Sequence, residues 1–443
     1  MRSALTVIAR RSLAAAMVLG ISGSFVTAQA ADTPILSSGT IDTGSTAWVL
    51  VAAALVLFMT LPGLALFYGG LVRARNLLSV LIHCFAIVSI VSVIWAAFGY
   101  SLAFDGNGPF IGTVNHLFLA DTAGKILPNH LPEGAFILFQ MTFAVITPAL
   151  IIGAFVERVR FSFVALFSAA WLILVYLPVT HWVWGGGWLA ARGTIDFAGG
   201  IVVHTTAGIA ALVAAMVIGP RDGFPHRLNP PHSPGMTMAG AGMLWFGWFG
   251  FNGGSALAAD GSAANAILAT HFAASAAALV WMAIEWLRIG KPTSIGFVTG
   301  VVAGLATVTP ASGYVGPAGA MAIGAIGSAI CFYATLFIKQ GLKIDDSLDV
   351  FAVHGVGGIT GSILVAFFAA PVLGGVGYAE GMDWVKQLTA QGTGVLAAGL
   401  WSGVCTFGLI KLLDILGGVR VSAEEESDGL DLATHGERAY DHT

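Results

Sequence analysis

Eleven apolar stretches, each about as long as a bilayer is thick, follow one another along this chain at 47–71, 77–103, 134–155, 161–180, 198–218, 237–257, 263–287, 294–312, 316–338, 351–370 and 392–416. A helix needs about 20 predominantly apolar residues to cross the hydrocarbon layer. Only helices and closed barrels can satisfy their own backbone there. The expected fold is an all-α membrane protein with eleven transmembrane helices. Composition points the same way: 57% of the 443 residues are hydrophobic and 9% charged, against about 25% charged in soluble domains. Fifty-eight glycines suit helices that must approach closely in lipid, where apolar burial does not drive association. A net charge of −4 leaves no basic footprint for nucleic acid. Cys84, Cys331 and Cys405 fall in apolar runs and build neither a disulfide framework nor a zinc spacing.

Charge sets the orientation. The first 30 residues read as a cleavable signal peptide: Arg2, Arg10 and Arg11, then an apolar run from Leu13 to Val26, then Ala28-Gln29-Ala30 at the cleavage position. The mature chain then starts outside, and odd spans run inward. On that assignment thirteen Lys and Arg fall in inner loops and tail and three in outer loops, a bias expected of N-out, C-in topology. Residues 31–417 form the eleven-helix domain. Residues 418–443, with Glu424, Glu425, Glu426, Asp428 and Asp431, form an acidic cytoplasmic tail.

Two patterns recur five spans apart. Span 5 reads IVVHTTAGI from Ile201 and span 10 reads FAVHGVGGI from Phe351; Phe67-Tyr68-Gly69-Gly70 in span 1 answers Phe251-Asn252-Gly253-Gly254 in span 6. Halves of five helices each are inverted in the membrane, with one helix left over, and transporters place their pathway at such a repeat interface. Ionisable residues inside spans mark function by default. The repeat brings His204 and His354 together near mid-membrane, and two imidazoles in series can relay a proton or pass a small polar molecule. His83 and His271 lack such partners and read as packing residues. Asp196, eight residues before His204, can cap its helix and shape an entrance. Phe139, Phe143, Trp184 and Phe251 lie on or beside spans 3 to 6, and Ser255 sits one turn past Phe251; aromatic faces attract cations, though interface belts and core packing account for most membrane aromatics. A metal or haem held by the histidines would need three or four ligands. No third ligand lies at matching depth, so no metal or cofactor and no enzyme is expected.

Five runs carry a resemblance: DFAGGIVVHTTAG at 196–208, FQMTFAVITPALIIGAFVERVRF at 139–161, HWVWGGGWLA at 181–190, GWFGFNGGSA at 247–256 and DVFAVHGVGG at 349–358. With the tail GLDLATHGERAYD at 429–441, the chain resembles the ammonium transporter (Amt/MEP/Rh) family over essentially its mature length, closer to the bacterial Amt branch. The resemblance implies ammonium/ammonia transport across a bacterial inner membrane by a homotrimer with one pore per subunit, blocked in many members by a cytoplasmic PII-type protein. It implies that Phe139, Trp184 and Ser255 recruit ammonium, with Asp196 as supporting carboxylate. Phe143 and Phe251 would close the outer end, and His204 and His354 would line the narrow pore. Two other readings remain within the resemblance, a neutral gas channel of the Rh type and an ammonium sensor. A 26-residue tail leaves no room for a signalling domain and so favours transport.

Overall fold

The computed structural model describes residues 40–226 and 230–440. The expected signal peptide, 1–30, lies outside them. Among the described residues eleven long helices follow in order: α1 Thr43–Leu71, α2 Ala74–Phe104, α3 Glu133–Ala154, α4 Phe161–Val183, α5 Gly200–Ile218, α6 Pro234–Gly254, α7 Gly261–Ile289, α8 Ser294–Ala311, α9 Pro317–Gly341, α10 Phe351–Phe368 and α11 Trp384–Gly417. Two short helices, α12 Ala423–Asp428 and α13 Leu430–His435, close the chain. No strand occurs among the described residues.

Ten of the eleven long helices are apolar enough to cross a membrane; α6 is not. Its glycines lower the mean hydropathy, and they also explain why it sits among other helices. A Cβ at Gly240 would lie 2.3 Å from the Phe67 nitrogen, and one at Gly250 would lie 2.7 Å from Leu55 Cβ, so α6 lies directly on the backbone of α1. Contact through glycine supplies the packing that lipid-facing side chains cannot.

Polar side chains set several helix starts. Asp260 accepts the first amides of α7, Thr293 caps α8, and Asp383 takes Val385 and Lys386 N–H at 2.9 Å each. The last cap begins α11 eight residues before the predicted 392, giving a helix of 34 residues. At about 1.5 Å per residue, that is longer than the bilayer's apolar layer is thick.

One end of the bundle carries a buried ionic plate. Glu157 binds Arg73 at 2.9 Å and Arg221 at 3.1 Å, and Arg221 binds Asp345 at 2.9 Å. Burial pushes both carboxyls up, but the guanidinium groups outweigh it and hold Glu157 and Asp345 below their ordinary values. Arg158, fully buried, donates to Ser347 Oγ at 2.6 Å and to the Ala154 and Asp345 carbonyls, tying the loop before α4 to the loop before α10.

The tail lies on this plate. Arg420 binds Glu426 at 2.7 Å, Glu426 accepts from the Asp222 amide at 2.8 Å, and Leu430 N–H donates to Asn76 Oδ1 at 2.8 Å. Asp431 takes Ser79 and Leu78 N–H at 2.8 and 3.1 Å, capping the α2 segment. These contacts are all within the one chain.

Candidate functional site

α5 and α10 cross where both lack side chains. A Cβ at Gly208 would lie 2.1 Å from Gly355 Cα, and one at Gly358 would lie 2.6 Å from His204 Cβ. Both helices open with a wide turn, Gly200–Thr205 and Phe351–Gly355, a distortion concentrated at functional positions. The crossing brings His204 and His354 face to face, Nδ1 to Nδ1 at 3.2 Å, rings 5.2 Å apart and 19° from parallel. Both are buried, at 1% and 3% exposure.

That contact fixes the protons. Two N–H groups cannot bond each other, so one Nδ1 donates and the other accepts. The donor ring, neutral, then carries a lone pair on Nε2 and the acceptor ring carries N–H there. The pair thus offers a donor and an acceptor to whatever lies beside it. His204 Nε2 has no protein partner. Beside the rings is a cavity of about 10 Å³, otherwise lined by apolar side chains such as Val203, Leu244 and Trp248, about enough for one small molecule.

Aromatic rings continue from the histidines toward the 104–133 loop. Trp248 and Phe251 stack beside His204 at 5.5 and 6.1 Å. Phe251 meets Phe143 at 4.4 Å, and Phe143 meets Phe139 at 5.0 Å and Trp184 at 5.7 Å. Phe143 and Phe251 are buried, whereas Trp184 and Ser255 are half-exposed, so the two phenyl rings separate a surface site from the histidine pair. Ser255 ends α6, its hydroxyl donating to the Phe251 carbonyl at 2.8 Å. Beside it a Cβ on Gly254 would lie 2.6 Å from the Phe139 ring.

Asp196 holds the start of α5. Oδ1 accepts from Gly199 and Gly200 N–H at 2.9 and 2.6 Å, and Oδ2 from Ile201 and Val202 N–H at 2.8 and 3.0 Å. One carboxylate thus satisfies four amides that a helix start leaves unpaired, where negative charge is also favoured by the helix dipole. Gly199 makes the turn at φ +117°. The Asp196 carbonyl accepts from Trp184 Nε1 at 2.7 Å, fixing the indole beside Phe143. Gln391 of α11 bonds both N–H and C=O of Ile195, at 2.8 and 2.7 Å, and pins the loop that presents Asp196.

All eight residues singled out from sequence therefore form one continuous column. His83 and His271 lie away from it, against Phe161 at 5.8 Å and Trp245 at 5.4 Å. Sequence reasoning missed Trp248 and Asp346. Asp346 caps α10 as Asp196 caps α5, accepting from Val350 and Phe351 N–H at 3.1 and 2.7 Å. Its signal was available: it precedes His354 by eight residues, the offset of Asp196 from His204. Burial, then the neighbouring Asp349, pushes the Asp346 carboxyl up to about 6.

A profile of the Ammonium Transporter Family matches residues 47–440. An ammonium transporter of Aquifex aeolicus is 47% identical over 407 residues, covering 91% of this chain and 95% of that one. One of Bacillus subtilis is 44% identical over 402 residues, covering 90% and 98%. Among solved structures, a chain described as a sensor Amt protein superposes with a TM-score of 0.83 at 33% identity, covering 88% of this chain and 98% of that one. Candida albicans Mep2 does so with a TM-score of 0.80 at 34% identity, covering 87% and 88%. With the match spanning the whole described column of aromatic and histidine side chains, this chain belongs to the ammonium transporter family.

Proposed function

We propose that the chain moves ammonium nitrogen across a bacterial inner membrane, with one pore per subunit of a homotrimer. The observation that carries the reading is the facing histidine pair in an apolar cavity, shut off by Phe143 and Phe251 from a site of buried Phe139 with partly exposed Trp184 and Ser255. Eleven crossings with the ionic plate inside give the N-out, C-in topology that the inner excess of Lys and Arg favours, and residues 418–443 are then the cytoplasmic tail. The orientation and the tail make a PII-type protein a fitting regulatory partner at that face.

Ammonium meets the indole and phenyl faces outside, where such contacts are worth about 0.5–2 kcal/mol, and the Ser255 hydroxyl accepts one N–H. A charge at mid-membrane costs at least about 2.5–3.5 kcal/mol. The ion therefore leaves its proton near Phe143 and Phe251. Ammonia passes along the donor and acceptor of the histidine pair, and the imidazoles offer the proton a separate route. Potassium has no proton to lose and no N–H to give, and the aromatic site offers no carbonyl cage to replace its water.

The test is current from purified protein in proteoliposomes. An ammonium pulse is expected to evoke current and a potassium pulse none. Ammonium uptake without charge movement would move the reading to a neutral gas channel, and no uptake at all would leave a sensor. Native mass in mild detergent is expected to give a trimer; a stable monomer or dimer would count against the assembly.

Tail and pore are coupled in this reading, because Glu426 holds Arg73 and Asp222, Leu430 holds Asn76, and Asp431 holds the Leu78 and Ser79 amides. Deleting 424–443 is expected to lower the ammonium current severalfold with insertion into the membrane unchanged. Undiminished current in the truncated protein would separate tail from pore.

A further inference from the structure

Below His354 the column opens into a cavity of about 230 Å³ whose wall includes Phe67, Tyr68, Arg221, Lys339 and Asp349. The arrangement of charge here differs from the outer site. At the outer end the Asp196 carboxylate is wholly taken up by backbone amides. At this end a carboxylate faces the cavity and is met by an ammonium group: Lys339 Nζ lies 2.8 Å from Asp349 and donates to the Ser347 carbonyl at 3.3 Å. The other cation in the wall is committed elsewhere, since the Arg221 guanidinium is bound by Asp345 and Glu157.

Both acceptors are held in place. Arg158 grips Ser347 Oγ at 2.6 Å. Asp349 sits in the left-handed region at φ +60°, with its N–H on the Asp346 carbonyl at 3.2 Å and its own carbonyl receiving Val353 N–H at 2.9 Å. A non-glycine residue stays in that region only where its surroundings hold it there. Lys339 reaches the pair from the last turn of α9 on a flexible four-carbon stem.

We propose that Asp349 and the Ser347 carbonyl form a second site for an ammonium-type cation at the inner mouth of the pore, and that the Lys339 side chain occupies it as a tethered competitor. A primary ammonium on two oxygen acceptors, in the wall of a cavity that Phe67 and Tyr68 also line, is the chemistry free ammonium would find there. Lys339 and Asp349 are each 23% exposed, so the head group can exchange with ions from the cytoplasm. A ligand on a short tether acts at an effective concentration of about millimolar or above, so submillimolar ammonium leaves it in place. Resting on the transport reading, the device has two consequences. Ammonia that leaves the histidines and regains a proton is not retained by Asp349, and cytoplasmic ammonium is denied the carboxylate that would draw it back. The pore is thereby biased toward uptake.

The experiment uses full-length protein in vesicles of known orientation, with ammonium current recorded from each face. Half-saturation from the inner face is expected at a higher concentration than from the outer face. In Lys339→Met the inner-to-outer ratio is expected to fall at least fivefold. Lys339→Arg, which keeps a cation on the tether, should hold the parental ratio. Adding Asp349→Asn to Lys339→Met should raise the ratio again, because the uncovered carboxylate is gone. An unchanged ratio in Lys339→Met overturns the proposal, as does a double variant that behaves like the single. If Lys339→Met does not assemble, Lys339→Gln is held to the same criterion. Absence of both ammonium current and ammonium uptake in the parent protein would overturn the transport reading instead.

Discussion

Asp196→Ala is expected to bring ammonium transport to background. The substitution removes one acceptor group and strands four buried N–H donors at the start of α5. An unsatisfied buried donor costs about 1–3 kcal/mol, so the helix start must rearrange. His204 sits in the wide turn that those amides begin, and Trp184 hangs from the Asp196 carbonyl. Both ends of the column move together. Trp184→Ala and Ser255→Ala leave this scaffold standing and are expected only to weaken recruitment, by roughly severalfold to thirtyfold for a contact of about 1–2 kcal/mol. Asp196→Asn is the sharper probe, because it fills the same space and loses only the amides that its own NH₂ must face. Transport is expected to fall by at least tenfold, with the variant recovered from detergent in the same assembly as the parent. Full transport by Asp196→Ala would reduce the residue to an ordinary helix cap.

The mirrored carboxylate shows how the sequence carries more than the eye takes from it. Asp345-Asp346 reads as loop charge when viewed locally, since acidic residues between helices are commonly solvated. Counting back eight residues from each histidine sets Asp346 against Asp196, and both prove to cap the helix they precede. The paired histidines were legible for the same reason: a repeat ties two distant positions to one geometry. Trp248 was not, because a tryptophan one turn before Phe251 in a glycine-rich helix is equally at home in packing or at an interface. Helix existence followed from hydropathy almost everywhere. It reported least on α6, where apolarity gives way to glycine contacts with α1. It also misplaced the start of α11, where the Asp383 cap extends the helix beyond its apolar stretch. The tail reads as acidic from the sequence, but its partners are not readable there. Leu430 and Asp431 find Asn76, Leu78 and Ser79, a pairing about 350 residues apart in sequence for which no local pattern exists.

The histidine pair is where substitution is expected to change what the pore conducts. At 3.2 Å one Nδ1 donates to the other, which locks both rings and leaves one donor and one acceptor toward the cavity. Removing either ring strands its partner, at about 1–3 kcal/mol for an unmet buried group, and breaks any proton route through the imidazoles. It also enlarges a cavity that now measures about 10 Å³. Two results are then open to His204→Ala and His354→Ala: loss of ammonium current, or entry of hydrated ions with a new potassium current. His204→Asp is expected to give the second, because a carboxylate at mid-pore stabilises a bare cation where the neutral pair did not. The proton then need not be removed, and the distinction between ammonium and potassium rests on size alone, which hardly separates them. The decisive measurement is paired: ammonium-evoked and potassium-evoked currents for the parent and each single variant, normalised to inserted protein. The expected pattern is a potassium-to-ammonium ratio near zero in the parent and at least tenfold higher in His204→Asp. Parental values of both currents in all three variants would make the histidines packing residues and would remove deprotonation from the transport step.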